Sequence, residues 1–311
     1  MKKRGRESFL RWGLYQRSPD AKAHGKQRAK IPRKRLPSPF SLVVYAVLMC
    51  GAIGMLVPFL WMARSSLVTA DQILKPCESL GDFVPSPARP RNFPEVFEKL
   101  HFWRCLGNTT FITVCVLLGT ILSSSLCAYA FAYCRVPYRN RIFYCVLATM
   151  MLPAVVTLIP VFIVFRTIGW IDTFNPLIVP AFFGSPFAIF LFRQFFLQLP
   201  RELFEAARVD GASNLRIWAT IVLPLSKPVV ITVAIFSFMG TWNDFMGPLI
   251  FLNSEENWTL QLGLASFMGL VTTDWHLLMA GSMIVLLPVL VVFFALQRYF
   301  VRGIVTTGLK G

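Results

Sequence analysis

Pro200-Arg-Glu-Leu-Phe-Glu205-Ala-Ala-Arg-Val-Asp210-Gly211-Ala-Ser-Asn-Leu-Arg-Ile-Trp-Ala-Thr-Ile-Val-Leu-Pro224 is a polar stretch set between two long apolar ones, and it reads as two short helices joined by a tight turn. Pro200 suits a first helical turn, where its missing N–H costs nothing. Glu202 and Glu205 follow at the positive end of the helix dipole. Leu203 with Ala207, and Phe204 with Arg208, fall at i,i+4 spacing and share faces. Asp210-Gly211 is a stop, because Gly211 takes the left-handed conformation at no steric cost. Ser213 is placed to cap the second helix, which runs through Ile217, Trp218 and Ile221 to Leu223-Pro224. The small Ala206-Ala207 pair leaves room for another surface to approach.

The flanking stretches explain why such an elbow would need a partner. Of the 311 residues, 55% are hydrophobic and 15% charged, against about 45–50% apolar and about 25% charged in an ordinary soluble domain. Phe40–Ala63, Cys105–Cys134, Ile142–Phe165, Thr173–Phe192 and Trp275–Gln297 contain no Lys, Arg, Asp or Glu, and Pro228–Asn253 is interrupted only by Asp244. Roughly 20 helical residues at about 1.5 Å each cross a hydrocarbon layer of about 30 Å. The predicted architecture is therefore an all-α polytopic membrane protein. Its six transmembrane helices lie near residues 40–63, 106–134, 142–165, 174–193, 228–252 and 276–298, with the elbow as a helix-turn-helix loop over 198–227.

Short loops with excess Lys and Arg stay in the cytoplasm. The first 39 residues carry thirteen Lys or Arg against Glu7 and Asp20. The 134–141 loop has Arg135, Arg139 and Arg141, and the elbow region has Arg193, Arg201, Arg208, Arg216 and Lys227. The 253–274 loop has Glu255, Glu256 and Asp274 with no basic residue. Six spans then place both termini and the elbow inside, and the net charge of +16 is mainly a topology signal. Residues 1–38 read as a basic cytoplasmic arm without regular structure, against membrane lipid, followed by a transmembrane domain over 39–311. No aromatic platform accompanies its charges, so no nucleic acid partner is expected. On the opposite side, Phe93 to Trp103 is predicted as an interfacial helix with Phe97, Leu100 and Trp103 as its apolar stripe. Cys77 and Cys105 fall on that side, where a disulfide between them is open; small residues at Gly119 and Ser123 predict close helix approach.

Glu205-Ala206-Ala207, then Asp210-Gly211-Ala212, then Ile221-x-Leu223-Pro224 resembles the EAA loop of permease subunits in binding-protein-dependent ABC importers. Asn108-Thr109, Trp242-Asn243-Asp244-Phe245 with Pro248-Leu249, Thr259-Leu260-x-Leu262-Gly263-Leu264, and the closing Gln297 to Gly311 resemble the family's carbohydrate-uptake branch, its second maltose-type permease. The resemblance runs from about residue 40 to the C-terminus. Trp218 stands where the family often has Phe, and the basic arm is longer than usual. The resemblance implies a bacterial inner-membrane permease working by alternating access. Its partners would be two copies of a cytoplasmic ATP-binding subunit, a homologous second permease and an extracytoplasmic solute-binding protein. It also implies that Glu205, Ala206, Ala207, Asp210, Gly211 and Ala212 couple to the ATPase, with Trp242, Asn243 and Asp244 as candidates for lining the pathway.

The residues also exclude chemistry. No G-x-x-x-x-G-K-[ST] phosphate loop occurs, so no cofactor is expected in this chain, and ATP and Mg would be bound by a partner. An intramembrane protease would need a nucleophile and base converging from different helices. The histidines are His24, His101 and His276, and the last shares one helix with Ser282 on a different face. A DNA-reading helix-turn-helix fails because both ends of the elbow run into spans. Asp244, the one acid within a run, reads either as a pathway group or as a helix-end acid bonded for structure. An ion-coupled transporter or channel without an ATPase, and a membrane scaffold, remain the competing classes.

Overall fold

The computed structural model describes residues 39–308 apart from 74, 76–80, 82–83, 136 and 270–271, with side chains as far as 297. The basic arm, Cys77 and the side chains of the closing basic tail lie outside the described residues. The chain divides into two units at Met55–Leu56. Among the described residues all regular structure is helical, with one isolated bridge between Met268 and Thr273.

The main helices are α1 (Pro39–Ser65), α2 (Asn92–Lys99), α3 (Phe102–Tyr133), α4 (Arg139–Ala148), α5 (Ala154–Thr167), α6 (Pro186–Phe196), α7 (Glu202–Val209), α8 (Asn214–Leu225), α9 (Lys227–Trp242), α10 (Met246–Phe251), α11 (Leu260–Ala265) and α12 (Trp275–Gly308). Four stretches are long and apolar enough to cross a membrane unaided: Pro39–Ser65, Phe102–Tyr133, Asn175–Phe196 and Trp275–Gln297. Two bent pairs bring the total to six if each pair counts as one span. One joins Arg139–Met151 to Ala154–Thr167 at 97°, and the other joins α8 to α9 at 82°.

The bends have local causes. Leu152 is extended (ψ 119°) because the ring of Pro153 crowds the residue before it out of the helical region, and the run 142–165 folds back there instead of continuing straight. The run 228–252 also differs from a single helix. It stops at Trp242, turns through Asn243-Asp244-Phe245 and restarts at Met246, where Asp244 Oδ1 accepts the Gly247 N–H at 3.1 Å. Asp244 thus sits in a break between helices. α2 likewise ends at Lys99, because His101 takes a positive φ of 48° and turns the chain into α3. Its buried positions are Asn92 and Val96, joined by Leu100 just beyond its end, while Trp103 is 72% exposed on α3. The Asn92 amide donates to the Ser66 and Val68 carbonyls, both at 2.9 Å, which fixes the buried face of α2.

α3 is the mast of the fold, with a cluster of buried side chains at either end. At the elbow end Tyr129, Phe143, Phe192, Phe196, Phe204, Ile217 and Val233 pack together. At the other end Val96, Phe102, Cys105, Trp242, Leu260, Leu277 and Val285 do so. Between the two, Gly119 lets residues 179–183 come close: a Cβ there would stand 2.8 Å from Phe182 Cδ2 and 3.2 Å from the Ala181 carbonyl carbon. Ser123 Oγ lies 3.0 Å from the Ala181 oxygen, so the small pair read from the sequence is a packing seam. The Cys105 thiol is free and buried, donating to the Leu100 carbonyl at 3.4 Å.

Candidate functional site

The elbow is built from its turn. Gly211 has φ +77°, a conformation that costs an L-residue about 1–2 kcal/mol. The Gly211 N–H donates to the Arg208 carbonyl at 3.0 Å, and the Ala212 N–H donates to the Ala207 carbonyl at 2.9 Å. This pair of bonds is the Schellman arrangement, which satisfies carbonyls left over at the end of α7. Ala207 and Ala212, the two residues whose apolar contact usually accompanies it, both pack against the elbow-end core. Ser213 Oγ then accepts the Arg216 N–H at 3.3 Å and starts α8.

This geometry divides the candidate residues between two faces. Phe204, Ala207 and Ala212 turn inward, and the Phe204 ring centroid lies 4.2 Å from that of Tyr133 at the end of α3. The Tyr133 hydroxyl donates to the Phe196 carbonyl, tying α3 to α6 beneath the elbow. Glu205, Ala206, Asp210 and Gly211 are exposed. So are Leu203, Val209 and Leu215, of which Val209 is 88% exposed. Of the alanine pair, then, Ala206 faces outward and Ala207 serves the turn. A rigid inner face with apolar side chains on its outer face has the form of a docking surface.

α8 is not uniform. Trp218–Val222 forms a π-helical turn before Leu223–Leu225, and α9 starts after Ser226. Pro224 brings no N–H, so the regular ladder is interrupted there, and wide turns of this kind recur at functional sites.

At the opposite end, the second candidate group comes apart. Trp242 is buried, stacks on Phe238 and donates its indole N–H to the Val285 carbonyl at 3.3 Å. It therefore locks α9 to α12. Asn243 is exposed and donates to the Met239 carbonyl at 2.9 Å. Asp244 borders a cavity of about 110 Å³ lined also by Thr109, Thr241, Thr259, Ile112 and Leu177. At ~30 Å³ per molecule this space holds about four waters, well below the roughly 300–1,000 Å³ of sites for larger ligands. Among the described residues no group of three or more His, Cys, Asp or Glu is placed to hold a metal ion.

Asp172, between α5 and α6, is the most heavily bonded carboxylate described. It sits at a φ of 61°, where Asp is tolerated. Its Oδ1 accepts the N–H of Asn253 and of Ser254, both at 2.9 Å, and the Asn257 amide at 3.2 Å; Oδ2 takes the Ser254 hydroxyl. The bonds from Ser254 above all hold its pKa far below the usual carboxylate range. Asn108 grips the same loop from α3, donating to the Glu256 and Trp258 carbonyls at 2.9 and 3.0 Å, and Thr109 Oγ1 accepts the Leu260 N–H at 2.8 Å. Because the folded pKa is depressed, the stabilisation is complete above the unfolded value near 3.9 and is lost as pH falls below it. Asp172→Asn is expected to lower the thermal midpoint at pH 7 by an amount equivalent to about 1 kcal/mol, after discounting for solvent screening. The gap between variant and parent should narrow as the pH is lowered from 4 to 2. A gap constant across that range would contradict the role given to the charge.

The chain matches the family described as binding-protein-dependent transport system inner membrane component over residues 121–306. It is 34% identical over 230 residues to the arabinooligosaccharides transport system permease protein AraQ of Halalkalibacterium halodurans, covering 74% of this chain and 82% of that protein. It is 38% identical over 206 residues to the sn-glycerol-3-phosphate transport system permease protein UgpE of Shigella flexneri, covering 66% and 73%. Among solved structures it resembles a chain of a bacterial ABC transporter involved in the import of the acidic polysaccharide alginate. The TM-score is 0.72 at 26% identity, covering 84% of this chain and 96% of that one.

Proposed function

Because the chain belongs to the binding-protein-dependent transport system inner membrane components, we propose that its elbow is the surface through which a separate ATPase drives transport. The chain is a multi-pass inner-membrane permease subunit, the non-catalytic translocation component of an ABC importer. Such an importer also comprises ATPase, binding-protein and partner-permease components. Our reading adds two ATPase copies, one under each permease. It also adds a solute of the sugar or oligosaccharide class, supported by the relatives named for arabinooligosaccharides, glycerol phosphate and alginate.

In this mechanism Glu205 and Asp210 offer polar contacts to the ATPase, Ala206 allows close approach, and Leu203, Val209 and Leu215 lose their exposed apolar surface. Gly211 permits the turn, while Ala207 and Ala212 brace it. Closure of the ATPase pair on ATP draws the elbows together, and the bend between α8 and α9 carries that movement into the membrane helices. Asp244 and Asn243 border the pathway near the outer end; Trp242 holds their helix against α12.

The observation that carries this reading is the division of the elbow into a braced inner face and an exposed outer face bearing apolar side chains. The test is Ala206→Cys in the assembled transporter. A cysteine-directed cross-linker should join this chain to the ATPase, and uptake in vesicles should stop on ATP depletion. Uptake that persists without ATP under an imposed ion gradient would replace the reading with an ion-coupled transporter.

A further inference from the structure

A cavity of about 220 Å³ opens at the elbow end between the end of α3, the start of α4 and α7. Arg135, Arg139, Arg201 and Arg208 line it with a single carboxylate, Glu205, beside Tyr133 and Phe204. The ion pairs among the described residues lie elsewhere, between Arg89 and Glu95, Lys99 and Glu95, and Arg104 and Glu256. Arg139 is fixed by donating to the Ala132 and Cys134 carbonyls at 3.1 and 3.3 Å, and Arg208 reaches Asn214 Oδ1 at 3.5 Å. Those neutral acceptors orient the guanidiniums without balancing their charge. Four cations around one small space repel one another, and an anion with several oxygens relieves the repulsion. Guanidinium forks match the oxygens of a phosphate two at a time.

The position selects the source of the phosphate. The cavity lies where α3 ends at Tyr133 and α4 begins at Arg139, the cytoplasmic boundary of two apolar helices. Basic pockets between membrane helices on that side suit anionic lipid headgroups. An adjoining recess shares Arg135 and Arg139 and adds Arg141, whose guanidinium stands 5.4 Å from the centre of the Tyr138 ring. α4 then leads away from the cavity into exposed Ile142 and Tyr144, which offer apolar surface to acyl chains. We propose that this cavity binds the phosphate of an anionic phospholipid from the cytoplasmic leaflet. The bound headgroup bridges Arg201 at the N-cap of α7 and Arg208 within it to Arg135 and Arg139 on the α3–α4 side, so lipid composition sets how firmly the elbow is held. Glu205 borders this cavity and is also offered to the ATPase, so the test is made on this chain alone, where lipid binding is read apart from docking.

The test uses the full chain in a neutral detergent, titrated with dioctanoyl phosphatidylglycerol while the thermal midpoint is followed. Dioctanoyl phosphatidylcholine and inorganic phosphate serve as separate arms. The midpoint should rise saturably with phosphatidylglycerol and stay flat with phosphatidylcholine. Arg135→Gln with Arg201→Gln should weaken the apparent affinity about 30-fold, the effect of removing two cations facing an anionic headgroup. Arg135→Lys with Arg201→Lys, which keeps the charge, should recover most of it. Equal midpoints of parent and Gln variant without lipid confirm that the variant folds; a lowered one passes the test to the Lys variant. Unchanged affinity in the Gln variant overturns the proposal. An equal response to inorganic phosphate at the same concentration overturns it in favour of a soluble anion. A photo-cross-linker at position 201 that labels a protein carboxylate in cells, and no lipid, overturns it in favour of a protein partner.

Discussion

Phe204→Ala is expected to abolish uptake while leaving the chain inserted in the membrane. Phe204 is 3% exposed, packs against Tyr133 and is the buried aromatic residue of α7. Truncating a buried Phe costs about 3–5 kcal/mol, and α7 has little else to hold it, since Leu203 and Val209 point into solvent. A loss of about 3 kcal/mol shifts the seating equilibrium of the elbow by about 100-fold, by the factor of ten per 1.4 kcal/mol. Proteolysis within residues 199–213 in inside-out vesicles should quicken by about 100-fold, and uptake should fall with it. Phe204→Leu keeps most of the volume and should cost much less. Protection and uptake equal to the parent in Phe204→Ala would show that the inner face does not anchor the elbow.

Gly211→Val is expected to have the next largest effect, with a different cause. No heavy atom lies within 4 Å of the place where a Cβ at 211 would stand, so added bulk meets nothing in this chain. The whole penalty comes from the positive φ, which a β-branched residue resists most strongly. Leaving that conformation also breaks the two bonds from Gly211 and Ala212 to Arg208 and Ala207. Together these effects amount to about 2–4 kcal/mol. ATPase co-purification and uptake should both fall more than tenfold. Gly211→Asn, whose side chain tolerates the left-handed region, should retain a large part of both. If Asn proved as damaging as Val, the cause would be crowding at the ATPase surface instead of backbone strain.

The sequence announced the elbow well because its signals are local. A proline, two glutamates, an Asp-Gly stop and a Ser cap occur within fifteen residues, each acting on its immediate neighbours. The two-sided division of Glu205-Ala206-Ala207 was not legible, since only the packing of Phe204 against Tyr133 decides which alanine faces outward. Membrane runs were readable as composition, but their bends were not. Pro153 marks a break, yet nothing in its neighbourhood specifies 97°. Asp172 escaped notice for a related reason: the N–H groups it accepts belong to residues 253 and 254, and backbone donors leave no trace in a pattern of side chains. Trp242 and Asp244 are two residues apart and read as one group. A helix end between them sends the indole into the core and the carboxylate to a cavity.

The 82° angle between α8 and α9 has a mechanical corollary. Twelve helical residues at about 1.5 Å each make a crank arm about 18 Å long, pivoting where Ser226 interrupts the helix. A sideways displacement of about 3 Å at the arm's tip swings it through about 10° on that length, and the longer helix fastened to the pivot shares the torque. Because the two limbs meet near a right angle, a stroke running parallel to the bilayer plane is delivered as tilt about an axis within it. Stiffness at the pivot thus governs stroke efficiency, independently of how strongly the tip is gripped.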